Sequence, residues 1–250
     1  MQSIYTAKQG LSAQQRRLDI IASNMANVST TGYKGQRTGF KDALYTQMIN
    51  PADTKSTANL RQGSGVLAAS TYRDFTEGTP VMTGETLDFY LDGDGFFTVQ
   101  NSAGDILYTR SGAFSVSSED DGEYLVTANG YYVLDDNGDP ITLPDAVDSI
   151  SVTPDGILDL GGGTTAALGL ATFINKDGLS LLGNGCYAAT DASGDAVDST
   201  AKVQQGFLES SNVDVSLELT QMIRTQRAYS LAGKVLTTWD VMASETNNIR

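Results

Sequence analysis

Histidine is absent from all 250 residues, which removes the side chain that most often serves as general base near neutral pH and as metal ligand. A Ser-His-Asp arrangement is therefore impossible. One cysteine, Cys186, excludes an intramolecular disulfide and a CxxC metal site. A buried structural thiol on a strand is its expected role. No stretch approaches the roughly 20 consecutive apolar residues of a membrane span, so no membrane insertion is expected. The opening residues MQSIYTAKQGLSAQQ show no basic start, no continuous apolar run and no small-residue cleavage site, so no Sec-type signal is expected. Positive charge is scarce: 16 Lys and Arg face 30 Asp and Glu, a net −14. Such a chain repels phosphate backbones and is not expected to bind nucleic acid. Hydrophobic residues make up 40%, which excludes a wholly disordered chain, and the length allows a real core.

Three segments imitate chemical sites without completing them. Asp135-x-Asn137-x-Asp139 opens like a calcium loop, but Pro140 occupies the sixth position and Ala146 the twelfth. A hairpin turn is expected there. Asp92 and Asp94 alternate with glycine ahead of a strand, which is ordinary turn chemistry. Gly161-Gly162-Gly163 lacks the lysine and following helix of a phosphate loop. No catalytic residue, metal site or cofactor is expected.

What is present is a chain with helical ends and a β-rich middle. Residues 3–28 lack proline and carry a seven-residue repeat, with Ile4, Leu11, Leu18 and Met25 in one row and Ala7, Gln14, Ile21 and Val28 in the other. These rows draw the narrow apolar seam of a coiled-coil-like helix. The other end repeats the design. Asp214 is a plausible N-cap, and no proline follows it. Leu219, Met222, Gln226, Tyr229, Gly233, Leu236 and Ala243 alternate in steps of three and four, and Ile223, Val235, Trp239 and Met242 widen the row. A helix of more than 30 residues is expected, its direction relative to the first left open. Gly10 and Gly233 are helix-interior glycines, explained equally by close helix approach or by a tolerant surface.

Residues 35–80 read as an extended connector, with an amphipathic patch at 40–49 compatible with a short helix. From about residue 87 the period changes to two, and turn clusters such as NSAGD, DDNGDP and NKDG recur. The pattern predicts an antiparallel β-barrel or sandwich, with Phe97, Val99, Phe114, Val116, Tyr124 and Val126 in its core. The fold class is thus α+β, with the terminal helices pairing in a helical domain around a central β domain. The expected divisions are 1–34, 35–80, 81–209 and 210–250. Two ends with unsatisfied apolar seams point to assembly; an adhesive or ligand-binding β module on a helical stalk is the alternative from another class.

The stretch Asn24-Met25-Ala26-Asn27-Val28-Ser29-Thr30-Thr31-Gly32-Tyr33-Lys34 resembles the N-terminal signature of flagellar rod and hook proteins. Asn24, Ala26, Asn27, Thr30, Gly32, Tyr33 and Lys34 carry the match. Residues 206–242 resemble the second signature of that family through Glu209, Ser211-Asn212-Val213, Met222-Ile223 and Gln226-Arg227-Ala228-Tyr229. DGDGFFTV (92–99) and YTRSGAFSV (108–116) resemble the opening of its β domain. In physical terms the first motif reads as a helix stop: Asn24 and Asn27 could satisfy the last carbonyls, and Gly32 supplies positive φ. Tyr33 would fold back on the seam.

The resemblance implies a structural subunit of the bacterial flagellar basal body, most like the distal rod protein, with a proximal rod or hook-type subunit as runner-up. It implies export through the flagellar type III apparatus. The implied partners are further copies of itself in a hollow helical homopolymer, other rod proteins and hook or hook-side axial proteins, with surrounding ring proteins as further candidates. The assembly seams would be Ile4, Leu11, Leu18, Ile21, Met25 and Val28 at one end, and Leu219, Met222, Ile223, Gln226, Tyr229, Leu236 and Trp239 at the other.

Overall fold

The heptad rows at the two ends do form helices. In the computed structural model, which describes residues 2–44, 46–47, 61–119, 122–143, 150–160 and 164–248, helix α1 spans Gln2–Ala26 and helix α2 spans Val215–Asn248. The Asp214 carboxylate caps α2, accepting the N–H groups of Ser216 at 2.8 Å and Leu217 at 3.2 Å. The first helix ends two residues earlier than the repeat suggests. Val28 therefore falls in the following turn and off the α1 seam.

Two compact units emerge. The helical unit comprises residues 1–26, 36–74 and 213–250, and the β unit residues 27–35 and 75–212. Within the helical unit α1 packs against α2. The Asn24 amide reaches Glu218 at 3.2 Å and the Arg17 guanidinium reaches Gln221 at 3.3 Å, so numbers rise along one helix as they fall along the other. The pair is antiparallel. At about 1.5 Å per residue, 34 residues reach well past 25, and the end of α2 outruns α1. A Cβ at Gly10 or Gly233 would meet nothing within 4 Å, so packing inside the chain requires neither glycine.

Where the sequence suggested a connector with a helical patch, the helical unit contains a two-stranded ribbon. Gln36–Asp42 pairs antiparallel with Val66–Arg73, with a bulge between Gly39 and Phe40, and the ribbon packs on α1. Thr46–Gln47 pairs with Arg61–Gln62. The β-branched and aromatic residues of 66–73 favour the extended state at residues 40–42, the start of the expected 40–49 helix; Tyr45 and residues 48–60 lie outside the described residues, as do Ala146 and Gly161 to Gly163.

The β unit is antiparallel throughout its described pairs. Its main sheet has ten strands, running 142–143, 122–127, 132–133, 96–100, 106–109, 186–188 and 180–183, with 114–119, 170–172 and 197–198 attached. Phe89–Asp92 pairs with Lys202–Gln205, and Pro80–Met82 pairs with Phe207–Glu209. The first and last strands of the main sheet do not pair, so the described strands form open sheets and not the closed barrel the turn spacing allowed.

Strand Phe96–Gln100 lies at the centre of this unit and is covered on both faces. Phe97 and Val99 enter the larger core with Phe89, Leu91, Phe114, Leu125 and Leu158. Phe96 enters a second core with Tyr108, Phe173, Leu179 and Tyr187. Strict alternation missed Phe96 because it presumes one solvated face. Val126 is buried, Val116 packs partly against the larger core, and Tyr124 is half-buried against the Tyr132 ring. Cys186 is a buried free thiol on a strand, and burial pushes its pKa up. Asp135 closes a turn by accepting the N–H groups of Asn137 and Asp139 at 2.8 and 2.9 Å. Desolvation alone would raise that carboxyl, but these donors hold it below its ordinary value.

Phe97 is fully buried and meets Phe114 edge-on with ring centroids 5.2 Å apart. Phe97→Ala is expected to cost about 3–5 kcal/mol in urea denaturation of the β unit; a loss below about 1 kcal/mol would contradict this two-faced core.

Candidate functional site

The residues of the N-terminal motif divide between two jobs. Asn24, buried near the end of α1, uses both ends of its amide on one residue: Nδ2 donates to the Gln36 carbonyl and Oδ1 accepts the Gln36 N–H, each at 2.9 Å. The amide thus docks the ribbon like a strand edge, where helix capping was the expectation. Asn27 begins the turn that follows, its carbonyl accepting the Thr30 N–H at 3.1 Å. Ala26 and Thr30 are exposed.

The rest of the motif belongs to the β unit. Gly32 has φ +67°, and a Cβ there would stand 2.6 Å from the Ser111 nitrogen, so both conformation and space require glycine. The Gly32 N–H donates to the Glu209 carbonyl at 2.9 Å, and the Tyr33 carbonyl accepts the Asn212 N–H at 3.4 Å. The Gly35 N–H donates to the Asn212 side chain at 2.8 Å. The segment therefore lies alongside residues 209–212, the start of the second signature.

At its centre is a buried ion junction. Lys34 Nζ lies 2.7 Å from Glu209 Oε1, and Arg110 Nε lies 2.6 Å from Glu209 Oε2. All three side chains are almost wholly buried. Further donors are directed at backbone: Lys34 also reaches the Thr76 carbonyl, and Arg110 reaches the carbonyls of Gly95 and Leu91. The Gly78 N–H donates to Glu209 Oε1 at 2.8 Å, and a side chain at Gly78 would overlap the Ser210 carbonyl. Glu77 adds a looser contact to Arg110 at 3.5 Å. Burial, the largest influence, pulls the Lys34 ammonium below its ordinary pKa, while the Glu209 carboxylate pulls it back up. Lys34, Arg110 and Glu209 come from three of the motif stretches quoted above, yet sequence reading gave Arg110 and Glu209 no physical role. The available signal was a charged residue at a strand end in two of the stretches, Arg110 just after Thr109 and Glu209 closing Phe207–Glu209.

The helical unit presents a different surface. On α1, Ile21 is buried, and Ile4, Leu11, Leu18 and Met25 are half-buried. On α2 the less exposed stripe runs through Gln221, Met222, Thr225, Ala228, Ala232, Gly233, Leu236 and Ala243, mostly small residues. The larger apolar side chains point elsewhere. Leu219, Ile223, Tyr229 and Trp239 are exposed, as are Gln226, Leu231, Val235, Val241 and Met242. Ile223 retains 51% of its surface, Leu231 63% and Met242 67%. A cavity of about 290 Å³ opens within this unit, lined by Arg17, Asn24, Phe40, Tyr72, Glu218 and Gln221 among others. Among the described residues no group of His, Cys, Asp or Glu is spaced to hold a metal ion, and no helix is long and apolar enough to cross a membrane.

A self-sufficient antiparallel β unit combined with paired terminal helices whose apolar surface is only partly covered defines a structural, assembly-type protein. Comparison with known proteins narrows the class. Residues 4–34 match the family model described as flagella basal body rod protein. Residues 90–160 match the flagellar hook protein FlgE/F/G D1 domain, and residues 204–249 the flagellar basal body rod FlgEFG protein C-terminal region. The flagellar basal-body rod protein FlgG of Buchnera aphidicola (subsp. Acyrthosiphon pisum) is 36% identical, with 99% of each chain covered. That of Caulobacter vibrioides is 35% identical over the full length of both. The rod protein FlgF of Caulobacter vibrioides is also 35% identical but covers 91% of this chain and 90% of its own. The chain belongs to the family of flagellar basal-body rod proteins. It is a structural rod subunit, distal-rod-like, and not an enzyme.

The junction predicts an order of mutational damage. Glu209→Gln leaves buried Lys34 without a carboxylate and Arg110 with only the looser Glu77 contact, and should cost about 3–5 kcal/mol. Lys34→Met leaves the Arg110–Glu209 pair intact and should cost less. Urea denaturation of both variants tests this, and the reverse order would refute the arrangement.

Proposed function

We propose that this chain polymerises into the hollow helical rod that transmits torque to the hook, joining its copies through the uncovered apolar faces of the terminal helices. The observation carrying this reading is the α2 surface. A 34-residue helix leaves Leu219, Ile223, Tyr229, Leu231, Val235 and Trp239 in water while turning small residues inward. An isolated soluble protein seldom exposes so many large apolar side chains along one helix. Each such residue, once covered, contributes roughly 1.5–3 kcal/mol before entropic costs. Seam packing of coiled-coil type between copies suits the heptad rows of both ends. A contact between unlike surfaces that does not close on itself propagates as a helix.

The same reading supplies location and partners. The chain would work in the flagellar basal body after export through the type III apparatus. Its contacts would be other copies, neighbouring rod proteins and hook-side axial proteins, with the surrounding rings as further neighbours. Long helices whose outer faces lack partners are marginal when isolated, which suits passage through a narrow export channel before packing. In this proposal residues 1–34 and 210–250 act as the polymerising ends and 81–209 as the central β domain. Full-length coverage by FlgG relatives, against 91% for the FlgF relative, favours a distal over a proximal position.

Substitution of an exposed seam residue separates assembly from folding. Leu231→Asp should change monomer stability by no more than about 0.5 kcal/mol while abolishing motility and the rod segment in purified basal bodies. Intact rods built from that variant would refute the α2 face as the joining surface.

A further inference from the structure

Among the described residues four buried side-chain oxygens lack a hydrogen-bond partner, and three of them, on Gln9, Gln14 and Glu218, belong to the helical unit. A glutamine can exchange an orphan oxygen for a donor by turning its amide, whereas a carboxylate carries oxygen at both positions. Glu218 Oε1 accepts the Asn24 amide at 3.2 Å, and Oε2 is the orphan. Native proteins seldom leave a buried acceptor without a donor. Glu218 lines the cavity of about 290 Å³ in this unit, together with Arg17 and Gln221, and the space is ample for one side chain. Arg17 is an underused donor there. Among the described residues its guanidinium gives one N–H to Gln221 Oε1 at 3.3 Å and lies 5.9 Å from the centre of the Phe40 ring. The second cation of the lining, Arg37, pairs with Asp74. A cationic guest would satisfy Glu218 against the charge of Arg17, and an anionic guest would meet the reverse. A neutral carboxamide satisfies both, its nitrogen donating to Glu218 Oε2 and its oxygen accepting from Arg17.

Helix α2 carries such a group in the middle of an apolar row. Gln226 is exposed, one helical turn from exposed Ile223 on one side and from exposed Tyr229 on the other. It makes no hydrogen bond to a described residue. Covering that row with a neighbouring copy would take the amide out of water, where it needs both a donor and an acceptor. We infer that the Gln226 amide of one copy enters the Arg17–Glu218 cavity of the next, supplying the donor that Glu218 Oε2 lacks and the acceptor that Arg17 lacks. This contact presupposes the polymerising role proposed above and assigns one polar lock within it. Plug and socket stand on different sides of α2. At about 100° per residue, Gln226 lies about 80° round the helix from Glu218 and about 140° from Gln221. The two surfaces are unlike, so the contact repeats from copy to copy instead of closing in a pair.

The purified full-length chain provides the test, with the threshold concentration for polymer formation measured by sedimentation and electron microscopy and the folding of each variant checked by circular dichroism. Gln226→Met keeps the length of the side chain and removes the amide. It should raise the threshold by about tenfold or more, because the cavity's two polar groups are then covered without a partner. A plain apolar joining face, with the cavity filled by water, gives the opposite sign, since methionine is buried more favourably than glutamine. Gln226→Glu should also raise the threshold, by setting two carboxylates together. Adding Glu218→Gln to that variant exchanges the amide and the carboxylate across the contact and should restore the threshold to within about threefold of the wild type. A Gln226→Met threshold at or below the wild-type value overturns the inference, as does a double variant no better than Gln226→Glu alone. A wild-type chain that forms no polymer at any concentration would instead overturn the polymerising role, and this contact with it.

Discussion

Glu209 is the residue around which the β unit closes. Its carboxylate receives Lys34 from the segment after α1, Arg110 from the central sheet and the Gly78 N–H from the strand-leading turn. The three partners lie 175, 99 and 131 residues from Glu209 along the chain, so the junction ties together distant parts of the unit. A buried ion cluster of this kind is not a large net source of stability, because each charge loses its water. Its consequence is positional. A misplaced segment 27–35 would leave buried charge unpaired, so one arrangement is strongly preferred over its neighbours. Gly32 and Gly78 serve the same end from the steric side, since a side chain at either would collide with backbone.

The two units solve opposite problems. The β unit fills two cores on either side of Phe96–Gln100 and pairs the charges of its ion junction, though Met82, Ile174 and Leu182 stay exposed. The helices of the helical unit meet through small residues and leave the larger apolar side chains exposed. Partial burial is what an assembling protein requires: enough internal contact to define the pair, and enough uncovered surface to reward a neighbour.

Much of this was legible residue by residue. The heptad rows located both helices, Asp214 marked the start of α2, and the change of period at about residue 87 announced antiparallel strands. Errors arose where neighbours overrode local pattern. The 40–49 patch has helical spacing, but residues 66–73 offered a strand partner, and the ribbon formed instead. Phe96 looked outward by alternation and proved buried, because Tyr108, Phe173 and Tyr187 cover the second face of its strand. Asn24 looked like a helix cap and became the dock for Gln36.

The exposed apolar face of α2 marks the boundary between the two kinds of information. By itself the sequence determined that both ends are helices, that the middle is β, that catalysis by histidine and an intramolecular disulfide are excluded, and that no apolar run is long enough for a membrane-spanning helix. Those properties follow from composition and from periods of 3.5 and 2, which are local. Only the tertiary structure decided that α1 and α2 run antiparallel, that the covered stripe of α2 is the small one, and that Lys34, Arg110 and Glu209 meet. Each depends on which surfaces reach one another across the fold, and pairwise burial over 75 residues or more leaves no periodic trace in the chain.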